Sequence, residues 1–356
     1  MTHIRKPRVH HPGLARNRQG LTRRDYEGTM STLCAGCGHD SITAAIIEAF
    51  WGLEIPPHMV AKTSGIGCSG KTTGYFLQEA HGFNGVHGRM PSVTTGAHAA
   101  NRDLTCIGIS GDGDSLSIGM GQFAHVVRRN VDMLYIIENN GVYGLTKGQF
   151  SASADVGSTA KRGQVNREHP IDAVLLALSL GAGFVARSFS GDREQLVPIL
   201  KAGLRHRGFA LIDVISPCVT FNDHRGSTKS YQYTRDNYNQ LVYADFVPPA
   251  REIQAAYEAG DTRTVKLHDG SAINFRKVPE DYDPTDRDAV YAYIRERQRT
   301  GEVATGLLYV EEEAEAGEEA DFHGIQGTVE EPLARLPHDV LCPGAERLER
   351  LQERFR

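Results

Sequence analysis

The chain has 356 residues, 40% of them apolar and 23% charged, with a formal net charge of −5. That balance suffices to bury a core and offers no basic excess for nucleic acid, so it reads as a soluble globular chain that binds neither nucleic acid nor membrane. The 6 cysteines come with no secretory or membrane-length apolar run, which argues against a disulfide framework and for a reducing cytoplasm.

Residues 1–31 form a basic N-terminal arm. Its first 26 positions are rich in Arg and His without helical or strand period, and it is expected to be flexible or to order against another subunit. Cys34 and Cys37 then make a CxxC just ahead of a helix, and a third cysteine closes Ser64-Gly65-Ile66-Gly67-Cys68. Gly65, Ile66 and Gly67 allow close backbone approach to a ligand, with free N–H groups available to phosphate oxygens. A helix is expected after Lys71. Leu104–Ser110 is an apolar run that reads as a buried parallel strand, with Cys106 acting in it as a small hydrophobe. It stops at Gly111-Asp112-Gly113-Asp114. A helical pattern from Ser115 to Arg129 carries Ile118, Phe123, Val126 and Val127 on one side, and Val131–Ile137 supplies the next strand of one βαβ unit.

Both strands therefore end at the same edge of a parallel sheet, which brings Asp112 beside Asn140 of Asn139-Asn140-Gly141-Val142. Carboxyl edges are where open α/β sheets bind ligands. Mg2+ takes octahedral oxygen ligands and keeps phosphate oxygens and water among them, so one carboxylate, one amide oxygen and one carbonyl suffice from the protein. Asp112, Asn140 and the main chain of Val142 are the expected ligands, and the cofactor this suggests is thiamine diphosphate. Ala173–Leu180 then reads as helix, Phe184–Arg187 as extended, Gln195–His206 as helix and Phe209–Ile215 as strand, followed by Pro217 and Cys218. Cys34, Cys37, Cys68 and Cys218 suit zinc or an iron–sulfur cluster, and spacing alone does not choose. Cys342, in a polar segment, reads as incidental. Residues 32–235 are expected to form an α/β domain with a doubly wound, mostly parallel sheet. Residues 236–356 form a C-terminal extension with an acidic stretch, Glu311–Asp321. Its terminal helix, Ala345–Arg356, carries a Leu348, Leu351 and Phe355 stripe that must dock, by default on its own domain.

From about Thr32 to Asp223 the chain resembles the β subunits of the 2-oxoacid:ferredoxin oxidoreductases, which use thiamine diphosphate. The resemblance rests on Cys34-Ala35-Gly36-Cys37-Gly38-His39, Ser64–Cys68, His87-Gly88-Arg89, Gly111–Asp114, Asn139–Gln149 and Ser216-Pro217-Cys218. Ala35 departs from the proline common in the family, which leaves the thiols unaffected. The resemblance implies that the four matching cysteines hold one 4Fe-4S cluster, and that Gly65, Ile66, Gly67, His87, Asp112, Gly113, Asp114, Asn140, Val142, Tyr143, Gly144, Leu145 and Thr146 line the thiamine diphosphate and Mg2+ site. It places Lys71, His87, Arg89, Leu145 and Lys147 toward substrate, with a cation at Lys147 suited to the distal carboxylate of 2-oxoglutarate. It further implies coenzyme A as co-substrate, ferredoxin as electron partner and an α2β2 heterotetramer. The α subunit would supply the glutamate that activates the aminopyrimidine, so no catalytic acid or base is assigned in this chain. Pyruvate or broad 2-oxoacid specificity is the alternative within the family. A non-redox thiamine diphosphate decarboxylase or carboligase, and a non-catalytic scaffold, are the alternatives outside it.

Overall fold

The structure, a computed structural model, describes residues 11–146, 148–158, 164–218, 253–266, 272–311, 331–341, 344 and 350–354. Two short parallel strands come first, β1 (Val60–Ser64) and β2 (His81–Asn84), preceded by α1 (Gly38–Leu53) and separated by α2 (Cys68–Thr72). Next come α3 (Met90–Ala100), β3 (Thr105–Gly111), α4 (Met120–Arg128) and β4 (Met133–Asn139). A small hairpin of β5 (Val142–Tyr143) and β6 (Gln149–Phe150) leads to α5 (Ala173–Ser179), β7 (Phe184–Phe189), α6 (Arg193–Arg205) and β8 (Phe209–Ile215). Beyond these lie β9 (Thr262–Lys266), β10 (Ala272–Lys277), α7 (Arg287–Arg299) and β11 (Glu302–Val310).

These strands make a 9-stranded sheet in the order β2-β1-β3-β4-β8-β7-β11-β10-β9. The run from β2 to β7 is parallel, β11 joins antiparallel to β7, and β10 is parallel to β11 and antiparallel to β9. Period-two alternation sends the two side-chain rows of each central strand to opposite faces. Leu134 and Ile136 pack with α1 and α6, whereas Met133, Tyr135 and Ile137 pack with α4, α5 and α7. The expected doubly wound, mostly parallel α/β fold is observed. The extension contributes strands to the same sheet, a feature that the polar character of 262–310 hides in sequence.

Three expectations need correction. The helix placed after Lys71 begins at Cys68, with Lys71 inside it. The helix drawn from Ser115 is a π-helical turn, Gly113–Ile118, followed by α4. The widened turn lets the 87–88 loop pack directly against backbone: a Cβ on Gly119 would lie 2.5 Å from Asp114 O and 2.8 Å from Gly88 Cα. Within the basic arm, residues 11–31 lie on their own domain. Tyr26 is fully buried, Asn17 Nδ2 donates to its hydroxyl (2.9 Å), and Gly28 N–H donates to Tyr75 O (2.8 Å). Leu21 and Tyr26 join the α1 core, which outweighs the basic character around them. Glu312–Asp321 and most of Ala345–Arg356 lie outside the described residues. Among the described residues no helix is long and apolar enough to cross a membrane.

Candidate functional site

β3 delivers Asp112 to the carboxyl edge, and the loop after β4 closes over it. The buried Asp112 carboxylate accepts at Oδ2 from Gly141 N–H (3.1 Å) and from the hydroxyls of Ser151 and Ser153, while Oδ1 faces Asn140 N–H (3.5 Å). Asn140 Oδ1 accepts from Val142 N–H (3.0 Å). The structure thus brings together Asp112 and Asn140. Burial pushes the Asp112 carboxyl up, against the pull of Ser151, Ser153 and backbone N–H groups. A divalent cation with a diphosphate would restore the charged form, so this donor set of carboxylate and amide oxygens fits Mg2+.

Asp114 has a different task. Its Oδ1 accepts from Gly88 N–H (2.9 Å) and pairs with His87 Nδ1 (2.5 Å), and Ser110 Oγ donates to Oδ2 (2.6 Å). Ile66 N–H lies 3.5 Å from Oδ1. Asp114 therefore ties the 65–67 and 87–88 loops to the end of β3. Only glycine serves at position 65, because a Cβ there would sit 1.8 Å from Asp114 Oδ2. Tyr143 donates its hydroxyl to Gly113 O (3.0 Å), and Gly144 is buried beside it. Leu145 and Thr146 face outward, with Thr146 donating to Gln149 Oε1 (2.6 Å). Lys71 and Arg89 are exposed, on α2 and at the start of α3, and neither takes part in the hydrogen bonds around Asp112 and Asp114. Lys147 lies outside the described residues.

The cysteines gather on the α1 side of the same edge. Cys37 N–H donates to Cys34 O (3.0 Å) in a turn that needs a left-handed residue, Gly36 (φ 82), and Cys37 caps α1. Cys68 opens α2, and the buried Cys218 follows β8. Burial pushes the Cys37 thiol up, with Cys218 adding to the shift; Cys68 moves the same way through burial, then Cys218, with Cys34 a lesser neighbour. Four thiols within electrostatic reach of one another, Cys37 and Cys68 among them pushed up by burial, fit a metal cluster, whose positive charge would draw off their protons. Among the described residues no three His, Cys, Asp or Glu side chains lie close enough to share one metal ion. A four-iron cluster holds its thiolates further apart than a single ion does. Beneath them, His39 Nδ1 meets Ser216 Oγ (2.7 Å) and stands 3.5 Å from Glu138 Oε2, which accepts from Thr72 Oγ1 (2.9 Å).

Sequence reasoning missed the supporting polar groups. Ser151 and Ser153 follow the magnesium loop as a Ser-x-Ser, a usable signal for short hydrogen-bonding side chains. Arg187 and Asp213 sit inside strand patterns where an isolated charge among apolar residues was the available cue. Beside Asn139–Val142 opens a cavity of about 1040 Å³, with Asp172, Arg187 and Gln298 on its walls.

The family profile "Thiamine pyrophosphate enzyme, C-terminal TPP binding domain" matches residues 65–214. A 2-oxoacid:ferredoxin oxidoreductase subunit beta of Saccharolobus solfataricus is 41% identical over 211 residues, which is 59% of this chain and 67% of that protein. The 2-oxoglutarate oxidoreductase subunit KorB of Mycobacterium tuberculosis is 40% identical over 191 residues, 53% of this chain and 51% of its own length. Among solved structures, a 2-oxoglutarate:ferredoxin oxidoreductase from Magnetococcus marinus, with 2-oxoglutarate, coenzyme A and succinyl-CoA bound, superposes with a TM-score of 0.65. It is 30% identical, and the match covers 83% of this chain and 86% of that one.

Proposed function

The chain belongs to the β subunits of the 2-oxoacid:ferredoxin oxidoreductases, and we propose that with an α subunit it catalyses reversible, CoA-dependent oxidative decarboxylation of a 2-oxoacid. The substrate is 2-oxoglutarate, converted to succinyl-CoA and CO2, with electrons leaving through one 4Fe-4S cluster to ferredoxin. The observation that carries this reading is the meeting of a carboxylate–amide loop and four thiols at one sheet edge, on the ends of β3, β4 and β8. Thiamine diphosphate, when bound, supplies the carbanion chemistry that adds to a keto carbon and accepts the electrons of the broken bond.

The chain's own residues bind and orient. Asp112, Asn140 and the carbonyl of Val142 hold Mg2+, the 65–67 backbone approaches the diphosphate, and Tyr143 fixes the loop on Gly113. Cys34, Cys37, Cys68 and Cys218 hold the cluster. Lys71, His87, Arg89, Leu145 and Lys147 are the residues assigned to the substrate, with the Lys147 cation assigned to its distal carboxylate. Exposed apolar side chains stand around this edge, Phe83 near the end of β2, Ile118 at the end of the π-helical turn, and Val86 and Leu145 on loops, which supports docking of the α subunit there. Names of relatives and the 2-oxoglutarate bound in the structural neighbour support 2-oxoglutarate over pyruvate.

The test is CoA-dependent dye reduction by the anaerobically purified complex with 2-oxoglutarate, pyruvate and 2-oxobutyrate in parallel. Strong preference for 2-oxoglutarate is expected, and none from the β subunit alone. Preference for pyruvate overturns the substrate, and no turnover by an iron-loaded complex overturns the reaction. Cys218→Ala should abolish both cluster absorbance and dye reduction; retention of either removes Cys218 from the ligand set. Lys147→Ala should shift the 2-oxoglutarate to pyruvate preference roughly tenfold, as loss of a charge-assisted contact predicts, and a shift under about twofold ends its role.

A further inference from the structure

We propose that Asp213, held by Arg187, is a positioning residue for the magnesium carboxylate, and that it acts through Asn139 and Ser153. The proposal rests on the reading of Asp112 as a magnesium ligand.

Arg187 lies buried between two carboxylates, donating from Nε to Asp213 Oδ2 (2.8 Å) and from Nη2 to Asp172 Oδ1 (2.7 Å). This fork leaves Asp213 one oxygen, Oδ1, to accept from Asn139 Nδ2 (3.0 Å). An amide that donates on one side must present its oxygen on the other. Asn139 Oδ1 accordingly meets the hydroxyl of Ser153 (3.0 Å), and the same hydroxyl reaches Asp112 Oδ2. A hydroxyl carries a single hydrogen, so Asn139 and Asp112 compete for it. Oδ2 of Asp112 keeps Ser151 and Gly141 N–H as donors when the hydrogen goes to Asn139. Asp213 thus fixes the orientation of the Asn139 amide, which fixes Ser153, which sets how firmly Asp112 Oδ2 is held and where Oδ1 points. The far end of the strut is anchored as well. Asp172 caps α5 through the N–H groups of Val174 and Leu175, and Gln298 Nε2 on α7 donates to its other oxygen (2.7 Å). None of these groups is placed to touch the metal. Their effect is on the rotamer of the one carboxylate that does, and groups behind a metal ligand typically change metal affinity about 10–100-fold when removed.

The experiment uses the full complex with its α subunit, stripped of cofactor and titrated calorimetrically with Mg2+ in the presence of thiamine diphosphate. Asp213→Asn removes the charge that orients Asn139 and should raise the Mg2+ Kd roughly 10–100-fold while iron content stays that of the wild type. Saturating Mg2+ should recover kcat, a split that a merely structural role would not give. Ser153→Ala should weaken Mg2+ binding similarly, and the double variant should be no worse than the weaker single, because both act along one path. A Kd for Asp213→Asn within about twofold of wild type, or additive losses in the double variant, overturns the proposal. Should Asp213→Asn fail to fold, Asn139→Ala leaves the Arg187–Asp213 pair intact and reads the same link by the same criteria. Asp112→Asn separates the two levels. If it binds Mg2+ as wild type does, the magnesium assignment itself falls; if it alone loses the metal, only the strut does.

Discussion

The two faces of the sheet treat buried charge in opposite ways at the carboxyl edge. On the α5 side, Arg187 sits between Asp172 and Asp213. Burial works to raise Asp172, but Arg187 more than offsets it and holds that carboxyl below its usual range, while burial pushes Asp213 up and Arg187 pulls it back. On the α1 side, among the described residues, no buried arginine is set between two carboxylates. Lys62 donates to the carbonyls of Phe76 (2.6 Å) and Leu77 (2.8 Å), and burial pulls its ammonium down to about 8. Glu138 is 0% exposed, keeps Oε1 without a hydrogen-bond partner, and is pushed well above the carboxylate range by burial. One face pairs its buried charges with each other, and on the other burial shifts Lys62 down and Glu138 up. A self-contained ionic lattice suits the side that braces Asp112 through Asn139 and Ser153. The side where the thiols gather is the one where burial disfavours the charged forms of Glu138, Cys37, Cys68 and Lys62.

The contrast is broken most severely at Arg187. Arg187→Met strands two buried carboxylates and should cost about 3–5 kcal/mol, read from the midpoint of urea unfolding, with Asp213→Asn in the same chain recovering part of it. A loss under about 1 kcal/mol would mean the lattice is not charged. Lys62 gives the next effect. Between about pH 8 and 10.5 the folded chain binds fewer protons at Lys62 than the unfolded chain, so stability rises with pH across that window. The rise should be roughly 1–3 kcal/mol for this group. Lys62→Met should flatten that slope, and an unchanged slope would assign it elsewhere. Glu138→Gln should be mildest. It replaces a carboxyl whose charged form burial already disfavours and should change stability by less than about 1 kcal/mol at pH 7, whereas a loss above about 3 kcal/mol would show a charged, paired Glu138.

The strand ends were legible in the sequence because chemistry and periodicity coincide there. The apolar runs around 104–110 and 209–215 stop where the chain needs an acidic turn or a cysteine, and the structure places β3 and β8 within a residue of them. Asp112 and Asn140 meet as expected for the same reason. The braces behind them were not legible, since Asn139, Asp213 and Arg187 are joined by the parallel pairing of β4, β8 and β7, and Ser153 comes in from the loop after β6. The π-turn at Gly113–Ile118 was hidden because its cause, the approach of Gly88, is distant in sequence. The last strands escaped because 262–266 is largely exposed and polar and 272–277 is mostly half-buried, which blunts their alternation.

Consecutive residues at the end of β4 serve three separate destinations. Glu138 turns to the α1 and α2 side, Asn139 to Asp213 on the other, and Asn140 to the Asp112 loop. A single-residue insertion upstream of Glu138 would turn Glu138 to the opposite face and put a carboxylate against Asp213. A segment exchange beyond the end of β4 therefore has a defined splice point. The cut belongs after Val142, where no side chain is left to choose between the faces.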